Sequence, residues 1–202
     1  MARRRGLEGR FWDDGLELVV GLDEVGRGAL AGPVAVGAVI LPPGRWPFVD
    51  SKALTPKARE DGAREILAVA RAAAVGWASN REVDALGINA ATRLAAKRAL
   101  RRLGVAPQAV ISDYFRLELG PIPSLHPPGA EQKSPSVAAA SILAKVTRDR
   151  LMVYLEGRYP GYGFDRHKGY ATRAHLMALE RLGPSPLHRL TFLKNQGAML
   201  EL

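Results

Sequence analysis

Asp23 and Glu24 stand side by side at the end of an apolar run, and Gly26-Arg27-Gly28 follows one residue later. The carboxylates call for a cation. Glycines around an arginine permit the close backbone approach that lets N–H groups cradle an anion. A site holding a metal and a phosphate together would meet both demands. Asp113 ends another apolar run, and Asp149 lies on an alanine-rich stretch beside Lys145 and Arg148. Carboxylates gathered within a few ångströms cannot all ionise without a compensating cation, and hard oxygen ligands select Mg2+ or Mn2+ over zinc. A blander reading stays open: Asp23 and Glu24 solvate a strand end, and Asp149 pairs with Arg148 or Lys145. Adjacent strand residues also point to opposite faces. Asp23 and Glu24 therefore share a site only if the strand breaks or bulges near Gly26, or if Glu24 offers its backbone carbonyl.

Other patterns are weaker. Gly26-x-Gly28-x-x-Ala31 matches a dinucleotide fingerprint by letter, but Pro33 and a valine-rich run follow where a helix should open. A dinucleotide-dependent oxidoreductase would explain only those glycines. A non-catalytic nucleic-acid binder would explain Arg166-His167-Lys168-Gly169-Tyr170, whose ring can stack on a base or sugar, but not carboxylates at strand ends. No phosphate-binding Gly-x-x-x-x-Gly-Lys-Ser/Thr run exists, and none of the four histidines has metal-ligand spacing.

The 202 residues suit one or two domains with a real core, and 47% hydrophobic against 24% charged residues is ordinary for a globular protein. Twenty-nine Lys+Arg against 20 Asp+Glu leave a formal charge of +9, which favours a polyanionic partner such as nucleic acid. The absence of cysteine excludes disulfides, thiolate metal sites and cysteine nucleophiles and fits a reducing, cytoplasmic compartment. The basic start Met1-Ala2-Arg3-Arg4-Arg5 leads into no apolar signal segment. No apolar stretch approaches the roughly 20 residues of a membrane span, so no membrane partner is expected. The excess of arginine over other cations suits a hot habitat or a GC-rich genome equally.

The elements that must position these residues follow from pattern. Residues 16–23 read as a strand centred on Val19 and Val20, 33–41 as a buried strand, and 73–79 and 109–112 as two more. Thr55-Pro56 caps a helix running to about Arg71, Gly104 closes a basic helix over 88–103, and 120–135 is a loop or edge. Residues 136–156 form a helix whose small residues, Ala138-Ala139-Ala140-Ser141, let it lie close on a sheet. A loop spans 157–169, and a further helix 172–182. The order suggests an α/β sheet packed by helices. The basic helix at Lys97-Arg98, with Lys52 and Lys168, would hold phosphates. The tail from Gln196 to Leu202 reads as a frayed end or a docking segment.

Taken together, Gly21-Leu22-Asp23-Glu24-Val25-Gly26-Arg27-Gly28, Asp50-Ser51-Lys52-x-Leu54, the run from Ala138 to Asp149, His167-Lys168-Gly169-Tyr170 and Pro186-Leu187-His188-Arg189-Leu190-Thr191-Phe192 resemble bacterial ribonuclease HII over nearly the whole chain. The resemblance implies a ribonuclease H-like fold: a central mixed β-sheet flanked by helices, over residues 16–160, after a basic extension at 1–15 and before a helical, substrate-contacting region at 161–202. It implies a monomeric endoribonuclease that cleaves RNA in RNA–DNA hybrids and cuts 5′ of single ribonucleotides in duplex DNA, leaving 3′-hydroxyl and 5′-phosphate ends. Asp23, Glu24, Asp113 and Asp149 would bind two divalent ions, Mg2+ or Mn2+. Gly26, Arg27, Gly28 and Tyr170 would read the ribonucleotide. Two positions depart from the family pattern. Gly129-Ala130-Glu131 stands where Lys-Gly-Asp is usual, and Asp113 is followed by Tyr114 rather than a small residue.

Overall fold

The computed structural model describes residues 5–49, 51–113, 116–117 and 120–195. Asp50, Tyr114 and the tail at 196–202 lie outside them, so the readings placed there have no structural counterpart.

Five strands form one mixed sheet in the order β3-β2-β1-β4-β5: β1 (Val19–Val25), β2 (Val34–Ile40), β3 (Ala72–Ala78), β4 (Ala109–Ser112) and β5 (Ser124–Leu125). β1 pairs antiparallel with β2 and parallel with β4, with Leu22 opposite Ser112 as the last pair on that side. The central strand starts three residues later than its apolar pattern suggests and continues through Asp23 and Glu24. Its ladder with β2 is unbroken from Val20 to Val25, so no bulge occurs there.

Nine helices surround this sheet among the described residues: α1 (Glu8–Asp13), α2 (Pro56–Val69), α3 (Asn80–Leu86), α4 (Ile88–Arg102), α5 (Ala130–Lys133), α6 (Pro135–Arg158), α7 (Phe164–His167), α8 (Arg173–Leu182) and α9 (Leu190–Asn195). The Thr55 side chain caps α2 by accepting from Ala58 N, as its Thr-Pro start suggests. Alternation divides the core. Val20, Leu22, Val36 and Ala38 face α4, whose Ala91, Ala95 and Ala99 are fully buried, while Val39 faces α6. α6 presses so closely that a Cβ on Gly21 would lie 2.2 Å from the Ser136 carbonyl carbon, and one on Gly37 2.2 Å from the Ala140 oxygen. Glycine on the strands and alanine on the helix are the two halves of one close contact.

α1 is docked on the body. The fully buried Glu8 accepts from Ser134 Oγ and Ser136 N, both at 2.7 Å, placing a carboxylate at the amino end of α6. At the other end of α6, Met152 joins Leu30, Ala31, Tyr162, Phe164 and Leu179 in a second core beneath α7 and α8. One 24-residue helix thus ties the sheet to the carboxy-terminal helices.

Candidate active site

Among the described residues, β1 past Leu22 has a partner only on its β2 side. Asp23 lies opposite Gly37 and faces α6, where the Ser141 hydroxyl hydrogen-bonds its carboxylate. Ser141 Oγ is in turn 2.8 Å from Ser51 Oγ. Glu24 points the other way, towards α4, with its Oε1 3.8 Å from Arg27 Nε. The two carboxylates therefore leave opposite faces of a continuous strand, and other carboxylates close the gap around its end.

Asp113 follows the last residue of β4, and its Oδ1 accepts from Gly129 N at 3.0 Å. That bond fixes the left-handed glycine that opens α5. One turn of this short helix carries Glu131, whose carboxyl hydrogen-bonds Asp113 and lies 3.8 Å from Lys52 Nζ. Electrostatics ties the set together. Burial raises Asp23 well above the usual carboxylate range, and Glu24 and Glu131 push it further. Burial also raises Glu24; Arg27 opposes the rise and Asp113 adds to it. The bond to Asp113, followed by burial, pushes Glu131 up to about 7.

These donors suit a divalent cation. All are oxygens, Asp113 raises Glu24 and Glu131, Glu24 and Glu131 raise Asp23, and Glu24 Oε2 is buried without a hydrogen-bond partner. Among the described residues no three His, Asp or Glu side chains are already gathered as ligands around one point; the four carboxylates form a set linked pairwise.

Asp149 does not join it. It lies eight residues beyond Ser141 on α6, about 12 Å further along the axis at roughly 1.5 Å per residue. Its Oδ1 accepts from Lys145 Nζ at 2.7 Å, and it lines a cleft of about 620 Å3 with Lys57, Arg166 and Lys168. Of the expected Asp23–Glu24–Asp113–Asp149 set, the contacts link the first three with Glu131, while Asp149 pairs with Lys145. The sequence marks Glu131 only as part of a departure from the family's Lys-Gly-Asp. The available signal was its place just before the helix whose small residues meet Asp23.

The two candidate reading loops converge. Leu30 N donates to Gly169 O at 2.8 Å, and the fully buried Arg148 pins both loops. Its Nε donates to Pro33 O (2.9 Å), Nη2 to Ala31 O (3.2 Å) and Nη1 to Lys168 O (2.9 Å). Its guanidinium carbon stands 5.5 Å from the centre of the Tyr170 ring, and a Cβ on Gly26, at φ +88°, would be 2.2 Å from its Nε. A second fully buried guanidinium, Arg189, donates to Gly32 O and, at 2.8 Å, to Arg27 O. Neither arginine was singled out from the sequence as a loop clamp.

Behind Tyr170 lies a chain of neutral histidines. Ser185 N donates to His188 Nδ1, so His188 Nε2–H faces His175 Nε2 at 3.0 Å, and His175 Nδ1–H donates to Tyr170 O at 2.9 Å. The Arg27 side chain turns back to Asn89 Oδ1 at 2.8 Å. Lys168 Nζ caps the Asp165 carbonyl, Lys52 is largely exposed, and Gly28 sits in open space. Arg98 is committed to Glu82 and the Trp77 carbonyl and is unavailable for the phosphate role expected of the Lys97-Arg98 pair.

The ribonuclease HII family model matches residues 20–195. A ribonuclease HII of Thermus thermophilus is 60% identical over 186 residues, covering 92% of this chain and 91% of that protein. Another, from Ligilactobacillus salivarius, is 47% identical over 191 residues, covering 94% and 74%. Among solved structures, the ribonuclease H2 from Pyrococcus horikoshii OT3 superposes with a TM-score of 0.70 at 24% identity, covering 91% of this chain and 99% of that one. The Bst-RNase HIII structure in complex with Mn2+ gives 0.64 at 23% identity, covering 92% and 71%. These two likenesses speak for the fold.

Proposed function

The chain belongs to the ribonuclease HII family and is a metal-dependent ribonuclease H; from that premise we propose that it cuts RNA–DNA hybrids and duplex DNA 5′ of a single embedded ribonucleotide, leaving 3′-hydroxyl and 5′-phosphate ends. One observation carries this reading: Asp23, Glu24, Asp113 and Glu131 surround the end of β1, beside a Gly-Arg-Gly turn locked to Tyr170.

Asp23, Glu24, Asp113 and Glu131 would hold the divalent ions. When bound, two such ions supply an ionised water and neutralise charge at the leaving oxygen. The chain's own groups do the rest. Ser141 holds the Asp23 carboxylate in place, and Gly129 N does the same for Asp113. Arg27 partly neutralises Glu24, while Lys52, beside Glu131, sets a cation at the rim where a phosphate would lie. Specificity would rest on the 2′-hydroxyl, the group that separates RNA from DNA. The exposed backbone at Gly28 and the Tyr170 hydroxyl are the groups placed to meet it, because Arg148 and the Leu30–Gly169 bond bring their loops together.

Mg2+ or Mn2+ serves as cofactor in this reading, and a monomer working in the cytoplasm is the expected form. No helix among the described residues is long and apolar enough to cross a membrane. The test is a duplex with one ribonucleotide, incubated with Mg2+ or with chelator. The expected result is one metal-dependent nick 5′ of that residue; a nick that persists in chelator would overturn the metal assignment.

A further inference from the structure

We propose that Arg93, Lys97 and Arg116 form a separate phosphate subsite, gripping the backbone of the bound duplex about two to four nucleotides from the ribonucleotide at residues 26–28. The proposal rests on the nuclease reading above and names a contact which that reading does not contain.

The three cations line a cavity of about 840 Å3 together with Leu117, Ser124 and His126. All three are exposed, and among the described residues none lies within ion-pair distance of a carboxylate, whereas Arg98 on the same helix is fully engaged by Glu82. No acidic side chain among the described residues lines the cavity. Three cations around one concavity attract an anion, and gripping a phosphate releases its condensed counterions.

Two features tie the cavity to the cleavage site. The first is its floor. His126 bonds Ser124 Oγ through Nε2 (3.0 Å) and the fully buried Ser112 Oγ through Nδ1 (2.7 Å). Ser112 ends β4 directly before Asp113, so the cavity is anchored to the strand that delivers a carboxylate. The second is α4 itself. Asn89, Arg93 and Lys97 follow one another four residues apart on one face, and Asn89 receives the Arg27 guanidinium. Along the helix axis Arg93 lies about 6 Å and Lys97 about 12 Å from that contact. At roughly 3.4 Å of rise per nucleotide, this corresponds to two to four nucleotides. A continuous polyanion leaving the Gly-Arg-Gly turn would thus meet the cavity in register, which a free mononucleotide would not. Contacts of this kind position the duplex without reading sequence.

The test measures binding of wild type, R93A/K97A and R116A to an RNA–DNA hybrid in Ca2+ over a series of salt concentrations. A second hybrid is truncated to one nucleotide beyond the scissile position on either side. The expected result is affinity for the long hybrid weaker by at least about tenfold in R93A/K97A, with the slope of log K against log salt shallower by about two. R116A should show about half that change in slope, and all three proteins should bind the truncated hybrid alike. Variants that match wild type on the long hybrid, or that lose equally on both, overturn the subsite. Wild type that binds neither hybrid overturns the nuclease reading itself, and the subsite with it.

Discussion

Asp113 and Glu131 share a hydrogen bond between their carboxyl groups, across the gap from the end of β4 to α5. Two carboxyls in that relation retain a proton between them, which is why Glu131 is pushed up to about 7. A divalent cation at the same place would do the proton's work, and its arrival would release that proton.

The metal-free protein should therefore show a specific pH dependence. A carboxyl raised in the folded state contributes stability that is fully present below its unfolded pKa and is lost as pH rises through its folded pKa. For Glu131 that window runs from 4.5 to about 7, and Asp23 and Glu24 act in the same direction. The buried His175 and His188, lowered to about 4, act oppositely and lose stability as pH falls below 6.5. The diagnostic quantity is thus the Tm difference between Glu131→Gln and wild type in chelator. It should grow in favour of the variant from pH 4.5 to 7 and shrink when Mg2+ is added. A difference independent of pH would remove Glu131 from the coupled set.

The two glycines of the reading turn should separate fold from ligand. Gly26 sits at φ +88° against Arg148, so Gly26→Ala should lower stability by on the order of 1–3 kcal/mol, read as a reduced Tm. A Cβ on Gly28 would enter open space. Gly28→Ala should melt like wild type yet lose cleavage at a single ribonucleotide. Normal cleavage by Gly28→Ala would contradict close approach of substrate at that backbone.

Arg148 offers a third test. Its removal leaves the carbonyls of Ala31, Pro33 and Lys168 without their donor, at a cost of roughly 1–3 kcal/mol for each one left buried. Arg148→Lys keeps the charge but cannot reach all three. We expect it to fold with a reduced Tm and to lose single-ribonucleotide cutting more than cutting within long RNA–DNA tracts, as Tyr170→Phe should. Equal loss on both substrates would make Arg148 a purely structural residue.

The sequence made much of this legible, for physical reasons. β4 was read at its true bounds, since an apolar run that ends in an aspartate has few alternatives, and α2 announced itself through Thr55-Pro56. The short helices α1, α3, α5, α7 and α9 were missed, α7 within the stretch read as a loop, because a turn or two carries too little periodicity to stand out. Asp23, Glu24 and Asp113 could be read from strand ends. Glu131 could not, because its place depends on a left-handed Gly129 held by Asp113, which is a tertiary bond. Asp149 ends a run that matches the family, yet eight residues along α6 separate it from Ser141, a distance that only the helix geometry reveals. Arg148 was read only as a possible partner of Asp149 and Arg189 only as part of a matching run; that both are fully buried is a tertiary fact.

The central claim is the identity of the fourth carboxylate. Calorimetric titration of Mn2+ into wild type, Asp23→Asn, Glu131→Gln and Asp149→Asn tests it most directly. This account predicts that Asp23→Asn and Glu131→Gln each weaken binding by about tenfold or more, in line with the loss of a charged ligand, and that Asp149→Asn binds as wild type does. Wild-type affinity in Glu131→Gln together with lost affinity in Asp149→Asn would contradict it.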